Sequence, residues 1–186
     1  FYPEYFKNYF TFNELTTQGP ITAIRIEGTN DSIDYRIKKL CRELEIQKEE
    51  VVTLEPEQSN IFWEKTRSLE VFSNLKKNLF KIVLPASETF EVINKLKVFE
   101  IKYFVDWGGS LIWVQLDDIS TKTFKNIKEI VKSSSGYMTV IKIEENLKAL
   151  VDVFTIDPIK YKITEQIKKS FDPKRILNPG KMYSGI

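Results

Sequence analysis

The sequence predicts an α+β fold: a ferredoxin-like antiparallel sheet with helices on one face, then C-terminal helices and an ordered Asn-Pro-Gly tail. Two observations lead there. Residues 79–143 read in the order β-α-β-β-α-β, that of a split βαβ unit. Two strand-like runs, 102–107 and 111–116, flank Gly108-Gly109 as the arms of a hairpin do. An antiparallel sheet of this kind segregates its helices to one face.

Taken in order, residues 1–20 read as an aromatic linker or N-terminal extension, with Phe1, Tyr5 and Tyr9 at a spacing of four. Those rings call for burial, on this domain or on a neighbouring one. Residues 21–27 alternate as a half-buried strand, and Thr29 to Asp31 offer helix caps. Ile33, Ile37, Leu40, Cys41 and Leu44 make the stripe of an amphipathic helix. A short strand at 51–54 would close a first strand–helix–strand unit, and a helix follows over 62–71. Next come a strand at 79–84 stopped by Pro85, and a helix over 87–97 with Phe90, Ile93 and Leu96 inward. After the hairpin, a helix over 121–131 turns Phe124, Ile127, Ile130 and Val131 to one side, and a strand runs from 137 to 143. Helices are expected over 144–154 and 158–170. Asp157 caps the second, Pro158 takes its first position, and Ile159, Ile163, Ile167 and Phe171 stripe its inner face.

Composition narrows the chemistry. The 186 residues are 42% hydrophobic, enough for the core of one compact domain. With 28 basic and 26 acidic residues, the near-balanced charge calls for neither nucleic acid nor a membrane surface. No apolar run reaches the roughly 18 residues of a membrane span, and no signal peptide opens the chain, so a cytoplasmic location is expected. Cys41 is the single cysteine, which excludes an internal disulfide and a thiolate metal cluster. There is no histidine. The chain therefore has no side chain that titrates near neutrality unperturbed, and no His-assisted nucleophile. Carboxylates, tyrosines, lysines and arginines remain. The seven glycines form no G-x-G-x-x-G or looser phosphate cradle.

The C-terminus is the most distinctive segment: Phe171-Asp172-Pro173-Lys174-Arg175-Ile176-Leu177-Asn178-Pro179-Gly180-Lys181. Asp172-Pro173 should stop the preceding helix, and Pro179-Gly180 suits a type II turn. Asn178 is thereby fixed in a stiffened corner.

This ending closely resembles the terminal motif of FAD-linked oxidases of the vanillyl-alcohol-oxidase type. Within that group, Asp106-Trp107-Gly108-Gly109 is similar to the Asp-Trp-(small)-Gly hairpin of the glycolate oxidase E-subunit family. Phe62-Trp63 resembles the short helix that precedes the hairpin there. The resemblance runs from about Ile21 to the end. It implies that residues 21–186 are the C-terminal cap, or substrate-side, domain, and that the N-terminal FAD-binding domain is absent from this chain. It implies FAD in the full-length protein, a small 2-hydroxy acid as substrate, and partner glycolate oxidase subunits including an iron–sulfur subunit. It places Asn178, with Arg175 and Lys181, beside the cofactor, and Asp106, Trp107 and Tyr137 at the substrate pocket. Tyr137 stands where the E-subunit family has a histidine, in the segment Ser135-Gly136-Tyr137-Met138-Thr139.

Each of these residues has a plainer structural role beside it. Asp106 caps the turn and Trp107 fills core; Asn178 bonds its own backbone; the basic residues of 158–181 form a solvated helix face. Arg25 and Arg67 are weaker candidates for a carboxylate clamp. The functional alternative is a non-catalytic ferredoxin-like module for small-molecule binding or assembly.

Overall fold

The computed structural model describes residues 1–9, 19–47, 51–72, 78–148, 150–155, 157–181 and 183. They fall into two compact units, Phe1–Ser73 and Asn74–Ile186.

Among its described residues the first unit holds a 3-10 helix, Glu4–Tyr9, and two α-helices, α1 (Asn30–Glu43) and α2 (Pro56–Arg67). Pro56 opens α2, and the Glu55 N–H donates to Gln58 Oε1 at 3.1 Å, closing its first turn. The helix thus begins six residues earlier than the expected start at Phe62 and ends at Arg67. Its inward residues, Phe62 and Thr66, meet the N-terminal segment. Tyr2 stacks edge-on against Phe62 at 5.7 Å, and Phe6 against Phe72 at 5.7 Å. The Tyr2 hydroxyl and Thr66 Oγ1 are 2.6 Å apart. Tyr2 and Phe6 are the buried pair, whereas Phe1 and Tyr5 are exposed. The Tyr9 side chain and residues 10–18 lie outside the described residues.

Neither strand expected in this unit forms. Residues 21–27 contribute a single bridge, Ile21 to Tyr2, and 51–54 pair with nothing among the described residues. Alternation makes a segment fit to lie on a core, but a strand also needs a neighbour for its N–H and C=O groups. The α1 stripe of Ile33, Ile37, Leu40 and Cys41 is only half-buried, and Leu44 is exposed.

The second unit is built on β1 (Asn78–Val83), β2 (Lys102–Asp106), β3 (Leu111–Leu116) and β4 (Tyr137–Lys142). They form a four-stranded antiparallel sheet in the order β2-β3-β1-β4. Helices α3 (Thr89–Leu96) and α4 (Thr121–Ser133) connect the strands across one face. This is the ferredoxin-like arrangement that the element order implies. Between sheet and helices lie Phe80, Ile82, Val114, Met138, Val92, Leu96, Phe124, Ile127 and Val131, all buried. Ser120 Oγ caps α4 by accepting from the Thr123 N–H at 3.0 Å. Buried Asn78 ties β1 to the end of β4: its Oδ1 accepts the Glu144 N–H at 3.0 Å and its Nδ2 donates to Glu144 Oε1 at 3.1 Å.

Three expectations fail in instructive ways. Phe90 faces outward, 77% exposed. A 3-10 turn at Ala86–Glu88 precedes α3 and sets its phase, so Thr89, Val92, Ile93 and Leu96 form the i, i+3, i+4, i+7 stripe instead. The helix expected over 144–154 shrinks to one turn, α5 (Glu145–Lys148). Beyond it, Val153 and Thr155 pair with β4 through Val140 N–H to Val153 C=O (2.8 Å) and Thr155 N–H to Met138 C=O (2.9 Å). Edge strand β4 has unpaired backbone to satisfy, and that demand overrides a weak helical pattern. Finally, α6 (Pro158–Phe171) forms as expected, with Asp157 Oδ1 accepting from Ile159 and Lys160 N–H groups at 2.9 Å. Its apolar stripe, however, is uncovered: Ile159, Ile163, Ile167 and Phe171 are all exposed, Phe171 by 85%.

The β2–β3 hairpin turns through Trp107–Gly109, with Gly108 at φ 58°. A Cβ there would meet nothing within 4 Å. Only backbone strain opposes a side chain, so Gly108→Val should cost roughly 1–2 kcal/mol and Gly108→Asn much less. Chemical denaturation checks this; an equal loss with asparagine would mean crowding, not conformation, decides the position.

Candidate functional site

The sheet face turned away from α3 and α4 carries the first group of candidate residues. Its cross-strand row runs Phe104, Trp113, Lys81, Thr139, and the adjacent row includes Leu111, Val83 and Tyr137. Lys81 rises from central strand β1, and its Nζ lies 4.8 Å from the Trp107 ring centroid and 5.9 Å from that of Trp113. Trp107 reaches this position because the hairpin turn holds it at φ 51°. It is 59% exposed and so is not the core residue its plainer reading suggested. Asp106 Oδ1 accepts the Trp107 N–H at 2.8 Å, and so fixes the same turn.

Tyr137 sits at the start of β4 on this face, with its ring exposed. Lys160 Nζ donates to its hydroxyl at 3.0 Å and lies 4.5 Å from the ring centroid. That hydrogen bond is the main reason the Lys160 ammonium is held above the usual lysine pKa. The pair borders an open cleft of about 340 Å³, also lined by Thr139, Phe154, Thr155 and Tyr183. Buried Tyr183 packs on Phe154 (6.0 Å) and Tyr161 (6.1 Å), which anchors the end of the described chain beside α6.

The terminal turn is the second group. The Asp172 carboxylate is buried and accepts three donors: Ile176 N–H at 3.1 Å, Leu177 N–H at 2.9 Å and Lys168 Nζ at 2.7 Å. Lys181 N–H donates to the Asn178 carbonyl at 3.2 Å, with Gly180 at φ 66°, as the type II turn requires. Arg175 (φ 52°) and Asn178 (φ 47°) are left-handed as well. The result is a loop tied down from within whose outer surface, Arg175, Ile176, Leu177, Asn178 and Lys181, is exposed. Arg175 also lies 3.7 Å from Glu165 on α6.

The structure thus gathers Trp107 and Tyr137 on one sheet face and Arg175, Asn178 and Lys181 on one turn. Asp106 spends a carboxylate oxygen on its own turn. Arg25 pairs with Glu27 at 2.7 Å, and Arg67 is exposed at the end of α2. Lys81 and Trp113 escaped the sequence reading as candidates, and Lys160 entered it only within the basic run of 158–181. For Lys81 a signal existed: it is the one charge inside the apolar run Leu79–Leu84. Among the described residues no group of acidic or cysteine side chains could hold a metal ion, and no helix is long and apolar enough to cross a membrane.

Residues 154–182, which span α6 and the terminal turn, match the family described as FAD linked oxidases, C-terminal domain. The chain is also 27% identical over 164 residues to glycolate oxidase subunit GlcE of Escherichia coli (strain K12). That alignment covers 88% of this chain and 39% of the relative, so the chain spans about two fifths of the length of the curated protein it matches. The two findings together support a C-terminal domain of FAD-linked oxidases.

Proposed function

We propose that this chain is the substrate-side domain of an FAD-dependent 2-hydroxy-acid oxidoreductase of the glycolate type, shaping the pocket over the flavin. The observation that carries the reading is the terminal turn. Its internal ties to Asp172 give it a fixed shape, yet its apolar and cationic side chains face outward beside the uncovered stripe of α6. A segment ordered in this way and left open is built to dock. The occupant in this reading is an N-terminal FAD-binding domain, which supplies the phosphate cradle that the glycines here do not form.

The residues suit the cofactor's chemistry. Arg175 and Lys181 offer cationic donors to the cofactor's anionic part, and Asn178 offers an amide at the tip of a rigid corner. Bound FAD would supply the two-electron acceptor for a hydride leaving the α-carbon of a hydroxy acid. Trp107 and Tyr137 would wall the substrate, and Asp106 would hold the Trp107 turn in place. Electrons would pass on to partner subunits, an iron–sulfur subunit among them.

The expected result is that this chain alone binds FAD weakly or not at all, and that amides of Arg175 to Lys181 gain protection from hydrogen exchange once a flavin domain is joined to it. Equilibrium dialysis yielding a stoichiometric yellow complex of the chain alone would overturn the division of labour. Equal protection in both forms would remove the turn from the interface.

A further inference from the structure

We propose that Lys81 receives the carboxylate of the substrate, between Trp107 and Trp113 as flat walls. This deepens the oxidase reading and rests on it, but the geometry behind it is independent of the family match. Lys81 belongs to the central strand pair of the sheet, with Trp113 directly across on β3 and Thr139 directly across on β4. Its backbone therefore lies in the middle of the face, and its ammonium reaches from there to the Trp107 ring at the hairpin tip. It is half-buried. Among the described residues it makes no ion pair, and its ammonium lies over two indole rings, at 4.8 and 5.9 Å.

Indole faces attract a cation but leave its three N–H donors without strong acceptors. A carboxylate would supply acceptors for those donors. A single point charge suits a monoanion. Two flat apolar walls suit a small carboxylate, which has an apolar flank, over a fully hydrated phosphate. The open side of the site is bounded by Trp107, whose ring is the exposed one. Its place at the tip of the β2–β3 hairpin makes it the residue a ligand would first meet.

The test is a tryptophan-fluorescence titration of this chain with sodium glycolate at constant ionic strength, with glycolamide and inorganic phosphate as the other arms. Saturable quenching by glycolate is expected, with no response to the neutral amide and a weaker one to phosphate. Lys81→Gln should weaken glycolate binding tenfold or more, and Lys81→Arg should restore it to within a few fold, which separates charge from folding. No saturable response to glycolate, an equal response to phosphate, or an unchanged affinity in Lys81→Gln would each overturn the proposal. In the flavin-loaded full-length protein, Lys81→Gln should raise KM tenfold or more with kcat changed by less. Should that protein reduce its flavin with a 2-hydroxy acid while Lys81→Gln keeps its KM, Lys81 loses the role and the oxidase reading stands. Should glycolate bind through Lys81 while no 2-hydroxy acid reduces the flavin, the anion site stands and the oxidase reading falls.

Discussion

Gly136→Ala is expected to destabilise the second unit by about 3 kcal/mol, the upper end of what overpacking costs. The reason is space. A Cβ on Gly136 would lie 2.8 Å from Val131 Cγ1, 2.9 Å from the Val131 carbonyl oxygen and 3.2 Å from Leu84 Cβ. The Val131 side chain is fully buried in the core. Its carbonyl already accepts the N–H groups of Ser134 (3.2 Å) and Gly136 (2.9 Å), which close the end of α4. Relief therefore means moving a helix terminus, not turning one rotamer. Gly136 immediately precedes Tyr137, so any shift would also misplace the ring on the candidate face. Neighbouring Ser135, at φ 55°, gives the control: Ser135→Gly removes left-handed strain and should be neutral or mildly stabilising. Urea denaturation of the two variants checks the contrast. A loss below 1 kcal/mol in Gly136→Ala would show that the turn yields.

The sequence foretold the β-α-β-β-α-β unit because there each apolar pattern had its partner in the same short stretch of chain. Strands β1 to β4 pair with one another, and α3 and α4 cover the face that those strands make apolar. Periodicity reports that a segment has an apolar side; it does not report what covers that side. The alternation at 21–27 and the isoleucine stripe of α6 are apolar patterns as clear as the run of β1 and the stripe of α4, yet the first finds no extended partner and the second faces outward. The helix expected over 144–154 gives way after Lys148 because the deciding influence, the open edge of β4, depends on strand order. The site shows the same division. Trp107 is singled out by its turn and by the family resemblance, and Tyr137 by the resemblance alone, but they lie on one face with Lys81 only once the register fixes Lys81 opposite Trp113 and Thr139. Local turn chemistry was the most readable part. Asp157 caps α6, Asp172-Pro173 ends it and Pro179-Gly180 makes the expected turn, because each needs only residues within four positions of itself.

Asp172→Asn is expected to loosen the whole terminal turn while leaving the sheet intact. The carboxylate closes three contacts at once, two to the N–H groups of Ile176 and Leu177 and one to Lys168. Lys168 Nζ in turn donates to the Leu177 carbonyl, so the ammonium and the carboxylate clamp the same corner from two sides. An amide keeps the shape but has one acceptor oxygen for three donors, and no charge to match Lys168. Acid should act as the mutation does. The Lys168 hydrogen bond holds the Asp172 carboxyl below its usual range, aided by the Leu177 and Ile176 N–H groups and the Lys168 charge and opposed by burial. With the folded value below the unfolded value of about 3.9, the unfolded turn binds more protons in between, and stability rises with pH there. The clamp is then fully present above pH of about 4 and is lost as pH falls through the folded value. Asp157, likewise lowered, first by its Lys160 N–H bond, titrates at the opposite end of α6, so a global melt would mix the two. The Leu177 amide isolates the turn. Its hydrogen-exchange protection should fall away in acid in the parent chain, and should be lower and free of that step in Asp172→Asn. The same acid step persisting in Asp172→Asn would show that another group governs the turn, and the fixed shape on which the docking reading depends would need a different origin.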